Sequence, residues 1–511
     1  MRAVLLCAGE GRRCRPVTLF RPKPLIPVKG APLIEHQLHF LHEHHVRDVT
    51  IITGHCAEQF AYLEKLYGVR LRHNPDFMAA NNSSSLRLAV DLLDDCLVLD
   101  GDLFFLQDWM VALHPGVSQF VVQPTTQGVE WEVSTEKSSA GLRLRGVNKW
   151  SPCGDGLVGV SYWTGEAARL LAQELGTCSP EDYWEDAALR ILDRTPIYVT
   201  PLSAFVQEID TLLDARNFGL LDDDGIASLC SMGMAPQKLK GLTNSTYCIQ
   251  AEDGSRHVLR IPGKGTEFFI DRAMEPAILS LIKNDAVTPS TFFYNDGFKI
   301  STFLNRHRVS DGYDMDDAFF KRLAALLSML HAKIWNQNLK IRPLFIRQEM
   351  AKYEERERER ERERERINNR SSVIPSNFPI FSADAKRRLS VWAETFDQGP
   401  CVLCHRDLLL ENILVAGEAG CDMQLIDFEY AGFTHPLWDT ASFILEAELT
   451  GETRHRFFEI SAPAFNQEIL LRMEILVDYI WGLWGYVNGY CEYGEKRLQR
   501  AKNRLEICSV D

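Results

Sequence analysis

The pattern of apolar residues changes once along the chain, in a polar stretch that contains glycines near Leu220–Met234. Before this stretch, short β-branched runs alternate with helical segments, whereas a strand-rich region and then a mainly helical region follow it. A single hydrophobic core rarely grows beyond about 250–300 residues, and the chain has 511 residues. We therefore expect two domains, over residues 1–225 and 235–511.

The first of these domains is predicted to be of the α/β class. Buried strands are expected at residues 1–8, Val49–Thr53 and Cys96–Leu99, with helices between them. Such alternation is typical of a doubly wound, mostly parallel sheet with helices on both faces, and ligands bind beyond the carboxyl ends of its strands. The turn Gly9–Gly11 and the pair Asp100 and Asp102 follow two of the strands, so they predict a ligand site.

The second domain is predicted to be bilobal and α+β. Thr246–Gln250 and Arg256–Ile261 alternate like an antiparallel hairpin, more strand follows at Thr291–Leu304, and the remainder is mainly helical. Residues 354–366 alternate Glu and Arg almost without exception, which predicts a solvated helix weakly supported by opposite charges.

Composition and charge exclude several classes of function. Hydrophobic residues make up 45% of the chain and charged residues 25%, as in ordinary globular proteins. The formal net charge of −14 argues against a broad surface for nucleic acid or for an anionic membrane. No segment approaches the roughly 20 apolar residues of a membrane span, and the N-terminal apolar run is too short for a signal peptide. The 13 scattered cysteines favour free thiols and a cytoplasmic location.

Three elements of the first domain suit phosphate chemistry. Gly9 and Gly11 make a tight turn at a strand end beside arginines. Lys23 is held between two prolines, and a positioned ammonium suits a phosphate oxygen. Carboxylates follow at Asp100 and Asp102 and again at Glu208–Asp210, and Mg²⁺ accepts such oxygens when it also holds the phosphates of a nucleotide. Each element alone has an ordinary structural explanation, but together they predict a nucleotide site.

The same stretches resemble the nucleotidyltransferases that couple a nucleoside triphosphate to a phosphorylated small molecule, and among these the bacterial CTP:phosphocholine cytidylyltransferases. The resemblance covers about residues 1–220 and rests on LCAGEGRR, PKPL, IEHQLHFL, NNSSSL, VLDGDLFF, GVSYW, YWED and EID. It departs from the family pattern at Cys7 and Arg12. It implies in-line attack by the phosphate of phosphocholine on the α-phosphorus of CTP, with pyrophosphate leaving.

The resemblance also implies roles for individual residues. Gly9, Gly11, Arg13 and Asn82 would bind the nucleotide, and Lys23 would neutralise charge at the reacting phosphates. Asp102 and Asp210 would bind Mg²⁺. Trp184 and Glu185 would enclose the trimethylammonium group, with Trp150 as a further candidate.

A kinase-type motif stands in the second domain. His405–Asn412 has the pattern H-R-D-L-x-x-x-N, and an Asp-Phe-Glu run begins at Asp427 after a predicted strand. This spacing fits a phosphotransfer centre in which Asp407 orients or deprotonates the acceptor hydroxyl, while Asn412 and Asp427 coordinate Mg²⁺. Asp-Phe-Glu replaces the Asp-Phe-Gly of protein kinases and no Ala-Pro-Glu follows, so a protein substrate is disfavoured.

Upstream residues fit the same centre. Asn244 lies where a hairpin turn would cover the phosphates of ATP. Arg260 takes the place of the lysine in the pattern V-A-I-K, and Glu275 on the next predicted helix can pair with it.

An aromatic pair suggests the acceptor. Trp481 and Trp484 lie three residues apart on one predicted helix face, and two aromatic faces with a carboxylate form a cage for a quaternary ammonium group. An aromatic stripe alone is more often core. The motifs WGLW, IDFEYAG, GLTNSTY and VLRIPGKGTE nevertheless resemble the choline kinase family, over about residues 238–505. The resemblance implies a bilobal, protein-kinase-like fold for this domain. It also implies that choline is surrounded by Asp407, Glu446, Trp481, Trp484 and Tyr493. The departures from that family are Arg406 and Leu410, neither of which belongs to the cage.

The two resemblances together imply a bifunctional cytoplasmic enzyme. Its second half would phosphorylate choline with ATP, and its first half would convert phosphocholine and CTP to CDP-choline and pyrophosphate, with Mg²⁺ as the cofactor. The expected partners are small molecules, with no nucleic acid and no membrane span, and a homo-oligomer is left open. The alternatives are a sugar-phosphate nucleotidyltransferase fused to a sugar or aminoglycoside kinase, or the ethanolamine equivalents. A binding or scaffold protein is disfavoured, because every metal-binding carboxylate named above is present.

Overall fold

The computed structural model describes residues 1–125, 128–241, 243–264, 266, 270–368, 381–417 and 422–508. Two compact units form, Met1–Lys238 with Ile249–Ser255 and Leu239–Cys248 with Arg256–Asp511. Leu242 of the GLTNSTY motif and Gly265 and Glu267 of the VLRIPGKGTE motif lie outside the described residues. Across the described ranges, no helix combines the length and apolar character needed to span a membrane.

The first unit contains, within the described residues, one large nine-stranded sheet and two pairs of short strands. Its strands are β1 Arg2–Cys7, β2 Pro27–Val28, β3 Ala31–Pro32, β4 Val49–Thr53, β5 Arg70–His73, β6 Cys96–Asp100, β7 Leu103–Phe105, β8 Gln119–Thr125, β9 Val129–Ser138, β10 Gly141–Ser151, β11 Gly154–Trp163, β12 Tyr198–Pro201 and β13 Val206–Glu208. Its helices are α1 Leu33–Glu43, α2 Ala61–Tyr67, α3 Ser83–Arg87, α4 Gly165–Leu175, α5 Trp184–Leu189, α6 Leu212–Asn217 and α7 Asp223–Leu229. The sheet has the strand order β5-β4-β1-β6-β11-β8-β12-β10-β9.

The sheet is parallel across β5, β4, β1 and β6, where the sequence predicts alternating strands and helices. From β11 onward it is mixed, since β11 runs antiparallel to both β6 and β8, while β12 runs parallel to β8. Strands β9 and β10 are joined by a short turn, and such a turn permits only antiparallel pairing.

Helices cover both faces of this sheet, as the sequence predicts. Successive side chains of β1 point to opposite faces. Leu5 packs with Ile34 of α1 in one buried cluster, whereas Val4 packs with Leu86 of α3 in another. Apolar clusters thus cover both faces of the sheet, which leaves its edge for polar side chains.

The carboxyl edge of the parallel strands brings the two predicted motifs together. Leu6 of β1 and Asp100 of β6 are register partners, so the turn after β1 and the acidic pair after β6 lie at the same level. Gly11 has a φ of 59°, in the left-handed region that favours glycine. A Cβ atom at this position would approach the side chains of Lys23 and Thr18 to 3.0 Å. A side chain would therefore be strained here and would crowd Lys23.

The second unit has a small sheet followed by helices. Its strands are β14 Gln237–Leu239, β15 Ser245–Gln250, β16 Arg256–Ile261, β17 Thr291–Asn295, β18 Phe298–Thr302, β19 Arg308–Val309, β20 Val402–Cys404, β21 Ile413–Ala416, β22 Asp422–Leu425 and β23 Gly432–Thr434. Its helices are α8 Met274–Ile282, α9 Asp317–His331, α10 Ile346–Asn368, α11 Ala383–Asp397, α12 Leu437–Glu446, α13 Gly451–Ser461, α14 Gln467–Val487 and α15 Cys491–Ile507. The main sheet has the order β14-β15-β16-β18-β17, so the predicted hairpin is formed by β15 and β16.

The Glu/Arg run lies in α10, and one face of its first turns is covered, whereas the sequence predicts a solvated helix. Tyr353, just before the run, is buried, and the hydroxyl of Tyr479 on α14 donates a 2.6 Å hydrogen bond to Glu354. Glu357 is also buried. The apolar residues just before the run hold this part of α10 against α14, which charge alternation alone does not reveal.

Helices α14 and α15 pack closely through glycine. Gly482 lies between the two tryptophans of the WGLW motif, and a Cβ atom there would meet Cγ of Leu498 at 2.6 Å. Glycine inside a helix is otherwise unfavourable by about 1 kcal/mol relative to alanine. The close approach of α15 thus explains why glycine is present.

We predict that Gly482→Ala destabilises the second unit, although alanine favours helices. Overpacking costs typically 1–3 kcal/mol and should outweigh the gain of about 1 kcal/mol in helix propensity. The matched control is Thr395→Ala on the exposed face of α11, which should be neutral or stabilising. The midpoint of urea unfolding measures both, and a Gly482→Ala protein as stable as the control would contradict the packing argument.

Candidate active sites

A cluster of carboxylates lies at the carboxyl edge of the first sheet. Asp102, Glu208 and Asp210 each place a carboxylate oxygen within 4.8 Å of the others. The pairing of β7 with β13 causes this arrangement, because Leu103 and Glu208 are register partners and the amide of Ile209 donates to the carbonyl of Asp102. Residues far apart in sequence are thereby brought into one acidic site.

Two cations lie within this cluster. The ammonium of Lys23 is 2.7 Å from Oδ2 of Asp102 and 3.5 Å from Oδ1 of Asp210. The guanidinium of Arg13 is 2.6 Å from Asp210. Burial disfavours the charge on Lys23, but the attraction of Asp102 and Asp210 outweighs burial and raises the pKa of the lysine. Lys23 therefore remains an ammonium group.

Carboxyl groups outnumber cations here, and their pKa values respond to this crowding. Burial raises the pKa of Asp100 well above its ordinary value, and the charges of Asp102, Glu185 and Glu208 add to the shift. Glu208 is partly open to solvent, but the surrounding protein removes much of the water near its carboxyl group. This desolvation, and then the charges of Asp102 and Asp210, raise its pKa to about 8. A divalent cation would offset the charge of such a cluster and favour the ionised carboxylates.

The donor set fits Mg²⁺, which takes oxygen ligands from carboxylates. Oδ1 of Asp102 is buried and has no hydrogen-bond partner among the described residues. Glu208 belongs to the same cluster as the predicted ligands Asp102 and Asp210. Its place in the EID motif was the available sequence signal.

Asn82 joins two helix starts beside this cluster. Its Oδ1 accepts a 2.9 Å hydrogen bond from the amide of Trp184, and its amide nitrogen donates to Glu185 at 3.4 Å. Burial raises the pKa of Glu185 to about 7. Asn82 and Glu185 are thus neighbours, and the charge of Glu185 acts on Asp100 of the acidic site.

The structure corrects the expectation for Trp184. Its side chain is 1% exposed, its ring stacks on Phe120 with centroids 5.6 Å apart, and it meets Trp163 edge-on. This tryptophan belongs to the core and cannot enclose a ligand cation. Trp150 is 78% exposed on β10.

A different aromatic pair, missed in the sequence, lies on the surface nearby. The rings of Trp131 and Tyr183 are 5.6 Å apart at 75°. Lys149 is the register partner of Trp131, and its ammonium lies 4.0 Å from the centroid of that ring. The same ammonium is 3.1 Å from Asp186. Tyr183 precedes Trp184 in the YWED motif, but the sequence does not reveal which of the two rings points inward.

In the second unit, the loop after β20 is fixed by a buried carboxylate. The amides of His405 and Arg406 donate to Asp439 at 3.1 and 2.8 Å, and Asp439 is fully buried. Arg406 has a φ of 69°, which a non-glycine residue adopts only where its surroundings impose it. Asp439, which no sequence motif singled out, thus positions the loop that carries Asp407.

Asp407 and Asn412 face one another in this loop. The amide nitrogen of Asn412 donates to the carbonyl and to Oδ2 of Asp407, at 2.9 and 3.1 Å, which turns its amide oxygen away from Asp407. Burial raises the pKa of Asp407 to about 7, and the charges of Asp427 and Glu429 add to the shift. Asp407, Asp427 and Asn412 are therefore close together.

Arg260 links the small sheet to the Asp-Phe-Glu run. Its guanidinium pairs with Glu275 of α8 and lies 2.8 Å from Asp427. Lys299 also pairs with Glu275, at 2.7 Å. Asn244 donates a 2.9 Å hydrogen bond to Glu429, the last residue of the run. The residues that the sequence assigned to ATP are thus connected to one of the predicted metal ligands.

The predicted tryptophan pair lies beside a cavity. The rings of Trp481 and Trp484 are 5.5 Å apart, and Tyr430 contacts both edge-on, at 5.0 and 6.2 Å. A cavity of about 80 Å³ is lined by Thr243, Lys264, Thr266, Tyr430, Trp484, Asn488 and Tyr490. Tyr430 lies in the IDFEYAG motif, but the sequence pattern alone does not indicate that its ring faces the two tryptophans. The aromatic stripe is therefore partly core and partly cavity wall.

The guanidinium of Arg497 contacts both Glu446 and Tyr493. Arg497 pairs with Glu446 and lies over the ring of Tyr493, with 4.8 Å between its guanidinium carbon and the ring centroid. Tyr493 contacts Trp484 at 6.1 Å. Burial, and then the charge of Asp407, raises the pKa of Tyr493. The structure thus brings Tyr493, Trp484 and Asp407 together, whereas Arg497 already holds the carboxylate of Glu446.

Two family models match the chain. One describes a choline/ethanolamine kinase and covers residues 237–480, and the other describes a MobA-like NTP transferase domain and covers residues 3–133.

Similar proteins match each half. The choline-phosphate cytidylyltransferase of Streptococcus pneumoniae is 31% identical over 222 residues, which are 42% of this chain and 96% of that protein. The 2-aminoethylphosphonate cytidylyltransferase of Lancefieldella rimae is 27% identical, over 42% of this chain and 91% of that protein. A crystal structure of a choline kinase from Streptococcus pneumoniae matches at 24% identity and a TM-score of 0.44, over 55% of this chain and 96% of that chain.

We predict that Arg260→Met lowers the stability of the second unit by about 3 kcal/mol. Glu275 would keep its pair with Lys299, but Asp427 would lose the buried guanidinium that offsets its charge beside Asp407 and Glu429. The control is Arg347→Met, which removes an exposed pair with Glu394 and should change stability by less than about 1 kcal/mol. Urea unfolding compares the two variants. Equal effects would show that the Arg260 network does not stabilise the fold.

Proposed function

The chain belongs in its first half to the choline-phosphate cytidylyltransferase family and carries a choline kinase-like second half, and from this fusion we propose a two-step route to CDP-choline. The first half has the nucleotidyltransferase fold and the second the protein-kinase-like fold, the fold classes that the sequence predicts. We propose residues 1–225 and 235–511 as their bounds. The single observation that carries the proposal is that each unit has both a group of neighbouring carboxylates and a pair of exposed or cavity-lining aromatic rings.

The first half would transfer the cytidylyl group. Gly9, Gly11 and Arg13 at the carboxyl edge would bind the phosphates of CTP, with Asn82 beside them, and Lys23 would neutralise the reacting phosphates. An oxygen of phosphocholine would bond to the α-phosphorus as the bond to the leaving pyrophosphate breaks. Asp102, Asp210 and Glu208 would hold Mg²⁺, which when bound offsets the charge of the pyrophosphate.

Trp131 and Tyr183 would receive the trimethylammonium group in this half. Aromatic faces attract a methylated cation without requiring it to donate hydrogen bonds. Asp186 and Glu185 would supply negative charge next to the rings. The rings of Trp131 and Tyr183 thus take the role that the sequence predicts for Trp184, because the ring of Trp184 is buried.

The second half would phosphorylate the hydroxyl of choline. Asp407 would accept the proton as the hydroxyl oxygen attacks the γ-phosphorus of ATP, and ADP would leave. Arg260, fixed by Glu275, and Asn244 would position the nucleotide. Asn412 and Asp427 would hold the Mg²⁺ that neutralises its phosphates.

Choline would lie against Trp481, Trp484, Tyr430 and Tyr493. A primary ammonium would leave its N–H donors unsatisfied against these rings, which favours a quaternary amine over ethanolamine. Glu446 is paired with Arg497, so the rings and Asp407 would supply most of the attraction. We propose a cytoplasmic location, because the cysteines of the described ranges are free thiols.

We predict that the purified protein with choline, ATP, CTP and Mg²⁺ forms phosphocholine and then CDP-choline. Asp407→Asn should lower phosphocholine formation roughly 10³-fold, in the range of general base catalysis, and should leave CDP-choline formation from supplied phosphocholine unchanged. Lys23→Met should have the opposite pattern. Chromatography of the nucleotides measures both reactions. Preferential transfer of CMP to 2-aminoethylphosphonate or to phosphoethanolamine would overturn the substrate assignment.

We predict that Trp484→Leu raises the KM for choline about tenfold, the loss expected for a desolvated cation–π contact, with the KM for ATP unchanged. Trp335→Leu is the control, because Trp335 is partly buried in the same unit and does not line the cavity. Initial rates at varied choline and varied ATP separate the two constants. Equal effects on both constants would indicate a structural defect instead of a lost contact with choline.

A further inference from the structure

The side chain of Lys149 lies against the aromatic pair Trp131 and Tyr183, away from the acidic cluster that holds Lys23 and Arg13. The ammonium of Lys149 lies 4.0 Å from the ring centroid of Trp131 and 5.9 Å from that of Tyr183. Asp186 is its partner at 3.1 Å. The positive charge of Lys149 also lowers the pKa of Glu185, against the larger effect of burial. Two rings and the carboxylate of Asp186 therefore surround a single ammonium group, and Glu185 lies close enough to interact with its charge.

The geometry is that of a cation-binding site filled by the chain itself. Because Lys149 and Trp131 are register partners on neighbouring antiparallel strands, their side chains project from the same face. Tyr183 then adds a second ring at the start of α5, edge-on to the first. The backbone thus builds the site, and Lys149 reaches it from within.

Lys149 is nevertheless free to leave. Its side chain is 47% exposed, in contrast to that of Lys23, which is 11% exposed. Lysine carries a point charge on a flexible stem, and an exposed pair with one carboxylate contributes little. An external cation of greater affinity for the rings can therefore replace it.

We propose that Lys149 is a resident cation of the Trp131–Tyr183 site, which the quaternary ammonium group of the substrate displaces on binding. The proposal rests on the function proposed above for the first half. In it, Lys149 lowers the affinity of the site for cationic groups, because each of them must displace the tethered ammonium. No covalent step is involved, and displacement leaves Lys149 exposed to solvent.

Lys149→Met, which keeps the length of the side chain and removes its charge, tests the proposal. Tetramethylammonium chloride is the probe, because it has the cationic head and no phosphate. Binding is followed by tryptophan fluorescence at constant ionic strength, with Trp131→Phe as the blank. Lys137→Met is the matched control, an exposed lysine of the same hairpin opposite Leu142.

We expect Lys149→Met to bind tetramethylammonium about fivefold more tightly than the wild type and Lys137→Met, as loss of an exposed cation–π contact and ion pair implies. The KM for phosphocholine should fall by a similar factor, with the KM for CTP unchanged. Unchanged or weaker binding, or a signal that persists in Trp131→Phe, would overturn the proposal. A raised KM for phosphocholine would also overturn it, because it would show that Lys149 holds a phosphate.

The fluorescence measurement separates this proposal from the proposed function. If the wild type makes no CDP-choline but Lys149→Met still gains affinity for tetramethylammonium through Trp131, the resident-cation proposal stands and the substrate assignment fails. If CDP-choline forms and the variant binds the probe no better than the wild type, only the resident-cation proposal fails.

Discussion

A buried cation held by carboxylates from distant parts of the chain fixes the geometry of each candidate centre. In the first unit Lys23 lies between Asp102 and Asp210. In the second, Arg260 lies between Glu275 and Asp427. Removing ions from water is costly, and only close, well-oriented partners offset that cost. The carboxylates that suit a metal are therefore held in place by cations of the protein itself.

This constraint also explains the surrounding backbone. The pairing of β7 with β13 and the left-handed turn at Gly11 are needed to place Asp102 and Asp210 around Lys23. In the second unit, Asp439 accepts two amides of the Asp407 loop, while Asn244 binds Glu429. The two units differ in fold, but in both of them strands and loops bring together carboxylates that would otherwise repel one another.

The sequence predicted the features that depend on spacing within one segment. The strands at Val49–Thr53 and near Cys96 follow from short β-branched or apolar runs, and the juxtaposition of Asp407 with Asn412 follows from their separation in one loop. Contacts that depend on side-chain direction were missed, because neighbouring residues can point to opposite sides of an element. Trp184 was therefore chosen although its ring is core, and Tyr183 beside it was overlooked.

Long-range partners were missed for a related reason. Asp439 lies on α12, well beyond the loop that it holds, and no local pattern distinguishes it from other helical aspartates. The pairing of Glu446 with Arg497 likewise requires α12 and α15 to meet. Sequence motifs predict the candidate reacting groups, whereas the charges that shift their pKa values come from tertiary packing.

The two aromatic sites differ in how firmly the chain fills them. Lys149 lies over Trp131 with almost half of its side chain in solvent, whereas Arg497 lies over Tyr493 with 3% exposed and is also bound to Asp478. Displacing Arg497 would remove the cation that Glu446 pairs with, a cost of several kcal/mol, although Asp478 would keep its pair with Arg500. Arg497 is therefore a permanent wall of its site, and Lys149 an exchangeable occupant. Under the proposed function, the same ammonium group would meet a fixed cage in the kinase half and a competing cation in the cytidylyltransferase half.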